Sequence, residues 1–162
     1  MPSTYAHLYF GRKAYPLLPE HTAQAVDENR QLYDIGLHGP DIFFYYRPLH
    51  NHPVNQYGYD MHSRPGRDFF FPARTTYTEA ENTEATLAYL AGFLCHYTLD
   101  SACHGYVEKK LSVSSLAHTD IENEFDRCLL QKEGRDIFHT NLTAHIIPSA
   151  ENAAVIADFF RK

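Results

Sequence analysis

Tryptophan is missing from this 162-residue chain, cysteine occurs three times and methionine twice. No run of basic residues is present, and the formal net charge is −6. That balance excludes a protein that grips nucleic acid through a broad cationic surface, so no stable nucleic-acid partner is expected. Cys95, Cys103 and Cys128 are too few and wrongly spaced for a disulfide framework, and they read as small buried hydrophobes in a reducing compartment. No apolar stretch reaches the length of a membrane span. The N-terminal MPSTYAHLYFGRK lacks the basic-then-apolar pattern of a secretory signal, so a cytoplasmic location is expected. Runs of β-branched residues are few and short, and no internal repeat or low-complexity tract occurs. The length fits one domain over residues 1–162.

What the chain has is histidine, 11 in all, with 12 Tyr and 11 Phe. Helices are expected over residues 4–13, from Pro19 and Glu20 to Ile35, from Pro40 into the IFFYY run, and over 67–75. The longest is expected over Thr78–Leu111, where Leu87, Leu90, Ala91, Leu94, Cys95 and Leu99 keep helical spacing. Another follows the serines at 112–115 and stops at Gly134, and a last one starts at Ser149. Residues 47–67, rich in Pro, Gly, Asn and His, read as an ordered functional loop. The fold class is therefore all-α: a single-domain helical bundle with a metal-binding cleft.

The chemistry sits in the longest helix and the one after it. His96, Asp100 and His104 are spaced by four residues each, and His118 and Glu122 repeat that spacing. Residues four apart share a helix face, so both sets can present donors to one space. Imidazole and carboxylate are the ligand set of zinc and its neighbours. Apolar Leu94, Cys95, Leu99 and Ala102 flank the first set, and polar groups beside a core need partners. Asp100 has two oxygens and one His on either side, which suits a bridge between two metals. His7, Asp41 and His62 are further candidates, with His50 and His52 competing for the place of His62. His21, His38, His139 and His145 read as surface or loop histidines, Asp126 as a supporting or solvated carboxylate, and Tyr45 and Tyr46 as core or pocket wall.

The segments MPSTYAHLYFG, GLHGPDIFFYY, GYDMH, AGFLCHYTLDSACH and AHTDIENEFD together resemble the zinc-dependent phospholipase C family, a relative in fold of the zinc-dependent single-strand nucleases. The resemblance implies an all-α fold around two or three zinc ions. It implies one zinc on Asp41, His62, His96 and Asp100, a second on His104, His118 and Glu122, and a third on His7, Asp100 and the first residue's backbone amine and carbonyl. It also implies hydrolysis of a phosphoric ester by metal-activated water, with Asp41 orienting or deprotonating that water. The substrate would be a lipid or small-molecule phosphoester. A nuclease, a small-molecule phosphodiesterase or phosphatase, and a non-catalytic metal-binding domain are the competing readings. A di-iron carboxylate bundle would need Glu-x-x-His pairs, which are not found.

The chain departs from the family pattern in having no tryptophan at the mature N-terminus and a shorter step from Asp100 to His104. Removal of Met1 would leave the amine of Pro2 five residues before His7, and that amine is expected to ligate the third metal. A tag fused ahead of Met1 should therefore lower bound zinc by one equivalent in elemental analysis; unchanged zinc and turnover would remove Pro2 from the ligand set.

Overall fold

The computed structural model describes residues 3–161. Its helices are α1 (Thr4–Ala14), α2 (Glu20–Glu28), α3 (Arg30–Gly36), α4 (Pro53–Ser63), α5 (Arg67–Glu79), α6 (Thr83–Val113), α7 (His118–Lys132) and α8 (Ala150–Asp158). Short 3-10 segments cover Tyr15–Leu17 and Gly39–Tyr45. No strand occurs among the described residues, so the fold is all-α.

Helix α6 is the axis. Asn82 caps it by accepting the N–H of Ala85 at 3.0 Å. Its N-terminal half is buried through Ala85, Ala88, Tyr89, Ala91, Gly92, Phe93 and Cys95, with α1, α2, α3, α5 and α8 packed around it. Small residues on that half let neighbours approach. A Cβ on Gly92 would lie 2.3 Å from the Tyr33 carbonyl oxygen, and one on Gly36 would lie 2.5 Å from that of Tyr89. The α3 and α6 backbones therefore touch, and both positions require glycine. Beyond Asp100 the helix leaves the core, and of residues 101–113 only Val107 is buried. The polar residues at 96 and 100 sit at the point of departure.

Several local expectations change. The stretch from Pro19 to Gly36 is two helices, because Asn29 adopts φ −129° and ψ 44° between α2 and α3. Residues 47–67 are not a loop throughout. Pro53 opens α4 with its fixed φ, and the His52 Nδ1 accepts the N–H of Val54 at 3.2 Å as the cap. Residues 78 and 79 close α5 rather than opening α6. Helix α6 runs unbroken through Gly105 to Val113. Helix α7 starts at His118, its preceding Ala117 N–H bonded to the Asp120 carboxylate at 2.9 Å, and ends before Gly134 at φ 66°. Ser149 caps α8 as expected, accepting from Asn152 N–H at 3.0 Å. Tyr45 and Tyr46 are exposed rather than core. Cys95 is buried, Cys103 half-buried and Cys128 exposed, and all three are free thiols.

Replacing Gly92 by Ala forces the α3 and α6 backbones apart. A loss of about 3 kcal/mol is expected, or ~10 °C in Tm. A thermal melt within 2 °C of wild type, roughly the shift from 1 kcal/mol or less, would contradict the contact.

Candidate metal centre

Five side chains from four segments meet where α6 leaves the core. His7 comes from α1, Asp41 from the 3-10 segment, His62 from the end of α4, and His96 and Asp100 from α6. Two sets of donors lie within mutual ligand distance: His7, Asp41 and His96, and His62, His96 and Asp100. Asp100 is the hub. One oxygen lies 3.3 Å from His7 Nε2; the other lies 3.1 Å from His96 Nε2 and 3.8 Å from His62 Nε2. Asp41 Oδ1 lies 3.0 Å from His62 Nε2. His7 and His96 are almost wholly buried and stack at 4.2 Å between ring centroids.

The local sequence explains these placements. Pro40 starts a tight turn whose first bond runs from Asp41 N–H to the His38 carbonyl at 2.8 Å. Gly39 has φ 45°, and a Cβ there would lie 2.4 Å from the His96 ring. Only glycine lets the backbone carry Asp41 past that ring. His62 Nδ1 bonds to the Gly58 carbonyl at 2.7 Å. That bond makes Nδ1 the donor, so a neutral ring turns the lone pair of Nε2 toward Asp41 and Asp100.

The donors fit a divalent cation. Both nitrogens of His7 and His96, His62 Nε2, Asp41 Oδ1 and Asp100 Oδ1 are buried without a hydrogen-bond partner. Lone pairs and two carboxylates facing one another in a largely buried space need a positive charge between them. The electrostatics point the same way. Burial works against the Asp100 anion, yet the close imidazoles of His7 and His96, at 3.3 and 3.1 Å, hold its carboxyl well below the usual range. Burial likewise opposes the His62 cation, but the Asp41 carboxylate 3.0 Å away outweighs it and raises this imidazole. Nitrogen and oxygen donors in this mix suit zinc.

Three members of the cluster, His62, His96 and Asp100, floor a cleft of about 350 Å³. His62, His96, Asp100, Ser101 and His104 line one part, and Tyr57, Phe69, Phe70, Phe93, Tyr97 and Phe159 form an aromatic wall. Phe69 stacks on Phe93 at 3.7 Å, so the wall is continuous with the core.

The remaining expected ligands are in neither donor set. His104 lines the cleft, but its Nε2 faces Glu108 at 3.0 Å, one turn further along the exposed part of α6. His118 and Glu122 pair with each other at 3.0 Å on α7. Neither donor set within ligand distance contains these three, among the described residues. His62 reaches the cluster, while His50 is exposed and His52 caps α4. The expected ligation by the first residue's backbone, or by Pro2, lies outside the described residues.

Sequence reasoning missed His38 and His145. His38 is fully buried rather than on the surface, and its Nε2 meets the Nε2 of half-buried His145 at 2.6 Å. The adjacent Gly-Pro turn, which drives the chain inward, was the available signal. Asp126 is buried and bonded to backbone amides of α1.

The fold and cluster define an all-α protein with a His/Asp cluster that could hold a metal beside a cleft. The chain belongs to the zinc-dependent phospholipase C family: the model of that family, "Zinc dependent phospholipase C", matches residues 6–162. Membership implies zinc dependence and phospholipase-type hydrolysis at the level of the family. No curated protein and no solved structure matches the chain significantly.

Burial lowers the His38 pKa to about 2, with His145, His7 and His96 adding to the shift. The unfolded chain takes up this proton near pH 6.5, before the folded protein does. The stability that neutral burial preserves is therefore complete above that pH and lost as the pH falls. The His38 share is about 2 kcal/mol by pH 5. In urea unfolding of chelator-treated protein at pH 7.5 and 5.0, His38→Gln should reduce the pH dependence by that amount. An unchanged dependence would show that His38 is not buried neutral.

Proposed function

We propose that the chain hydrolyses a phosphoric ester at a zinc centre on Asp41, His62, His96 and Asp100, with His7 and the second oxygen of Asp100 holding another ion. The observation that carries this is a buried set of unpartnered imidazole and carboxylate donors on the floor of an open cleft. A purely structural metal site would be closed by its ligands and would not face such a cleft. His104, His118 and Glu122 are assigned to a further ion by the family resemblance, each exchanging its present partner for the metal.

When bound, zinc supplies Lewis-acid polarisation of a phosphoryl oxygen and acidifies water toward neutrality. The chain's own groups do the rest. Asp41, aimed at the cluster, orients the attacking water and takes its proton. Asp100 stays anionic and keeps His7, His62 and His96 turned inward. The aromatic wall excludes water from one side of the cleft and takes an apolar arm of the substrate. Both properties favour a lipid or other phosphoester with an apolar group. Arg64 is the sole Lys or Arg side chain among the lining residues, which disfavours a nucleic-acid strand with a phosphate at every step. No helix among the described residues is long and apolar enough to cross a membrane. The three free thiols support a reducing, cytoplasmic setting.

Chelation should abolish hydrolysis and lower Tm, and zinc should restore both. Asp100→Asn should lower kcat/KM by more than ~100-fold on dihexanoyl phosphatidylcholine. Phe70→Ala should raise KM for that ester about tenfold and leave glycerophosphocholine unaffected, as loss of apolar burial requires. Full turnover by metal-free protein would rule out the mechanism. An equal effect of Phe70→Ala on both esters would rule out the apolar subsite.

A further inference from the structure

Asp126 lies outside the donor cluster, in the third turn of α7, and is 4% exposed. Its Oδ2 accepts the N–H of Tyr5 at 2.9 Å and its Oδ1 accepts that of Ala6 at 2.8 Å. These amides belong to the first turn of α1, where no intrahelical acceptor exists. The helix's own N-cap residue, Ser3, makes no side-chain capping bond to α1. The start of α1 is thus held by a carboxylate from a helix some 120 residues further along the chain. Two charge-assisted bonds, with the anion at the positive end of the helix dipole, fix both the position and the rotation of that turn.

The next residue is His7. Its ring is 1% exposed, stacks on His96 and places Nε2 3.3 Å from Asp100. Neither His7 nitrogen has a hydrogen-bond partner of its own. Apart from the 3.3 Å approach of Nε2 to Asp100, ring orientation therefore comes from the backbone of α1 and from packing. A metal-bound histidine is ordinarily oriented by a bond from its other nitrogen. Here that bond is replaced by anchoring of the two preceding amides. Glu122, one turn earlier on α7, occupies the same helix face as Asp126.

We infer that Asp126 is a positioning residue for the metal ion that needs His7: it clamps α1 to α7 so that the His7 imidazole meets Asp100. The inference rests on reading the donor cluster as a metal centre. It predicts a selective effect. Loss of the clamp weakens the ion bound through His7 and spares the ion held by Asp41, His62, His96 and Asp100.

The test is titration with cobalt(II), followed by its visible spectrum, on wild type, Asp126→Asn, His7→Ala and the double variant. Asparagine keeps the shape but presents an N–H₂ to one of the two amides. Asp126→Asn should weaken the weaker cobalt site tenfold or more and leave the tighter site within twofold, the size of effect a supporting group has on a metal. In the His7→Ala background it should add nothing. A general structural role would instead weaken both sites, and its effect would persist without His7. Ala6→Pro, which removes one amide donor in a turn that tolerates proline, should reproduce the selective loss if Asp126→Asn proves insoluble. Cobalt binding by wild type with no selective loss in either variant overturns the clamp alone. Failure of wild type to bind cobalt or zinc overturns the metal centre and the clamp with it.

Discussion

A carboxylate enclosed by imidazoles, away from water, is the constraint from which the rest follows. Asp100 is buried beside His7, His62 and His96, and Asp41 faces the same space. Such an arrangement is costly in a low-dielectric interior unless positive charge compensates it. Protons on the imidazoles are one source of that charge, and divalent cations are the other. Cations use the lone pairs that protonation would consume, and they suit a donor set of nitrogen and oxygen.

The scaffold brings these groups together by making α6 serve two environments. Its first half is packed by small residues and aromatics so closely that α3 and α6 touch at Gly36 and Gly92. Its second half is exposed. His96 and Asp100 fall at the boundary, where they are buried and still reach the cleft. Helix α1 adds His7, and the 3-10 segment with Asp41 packs against α4, which adds His62. The aromatic wall is continuous with the core, so the surface that stabilises the bundle also shapes the approach to the centre.

Much of this was legible because helical spacing is a local property. The four-residue steps of His96, Asp100 and His104 fix a shared face whatever surrounds them. Of the apolar neighbours at 94, 95 and 99, only Cys95 is buried, and Leu94 is exposed. The all-α class followed from the same periodicity and from the scarcity of strand patterns. What the spacing did not determine was how far burial extends along the helix. His104 shares the face of Asp100, yet α6 has left the core by then and His104 pairs with Glu108. Helix α4 was hidden because its Pro, Gly and Asn content mimics a loop, whereas Pro53 begins the helix and His52 caps it. His38 was misplaced because burial by a Gly-Pro turn leaves no periodic trace. Asp126 stood one turn beyond Glu122 in plain view, but a tie to the start of α1 depends on chain positions some 120 residues apart.

The account's central claim concerns what occupies the space around Asp100. Zinc K-edge X-ray absorption on the zinc-loaded protein addresses it directly. The account predicts a first shell of nitrogen and oxygen at about 2.0–2.1 Å, with the outer-shell pattern of imidazole and no sulfur. A shell containing sulfur at about 2.3 Å, or zinc retained only as a fully hydrated ion, would contradict it.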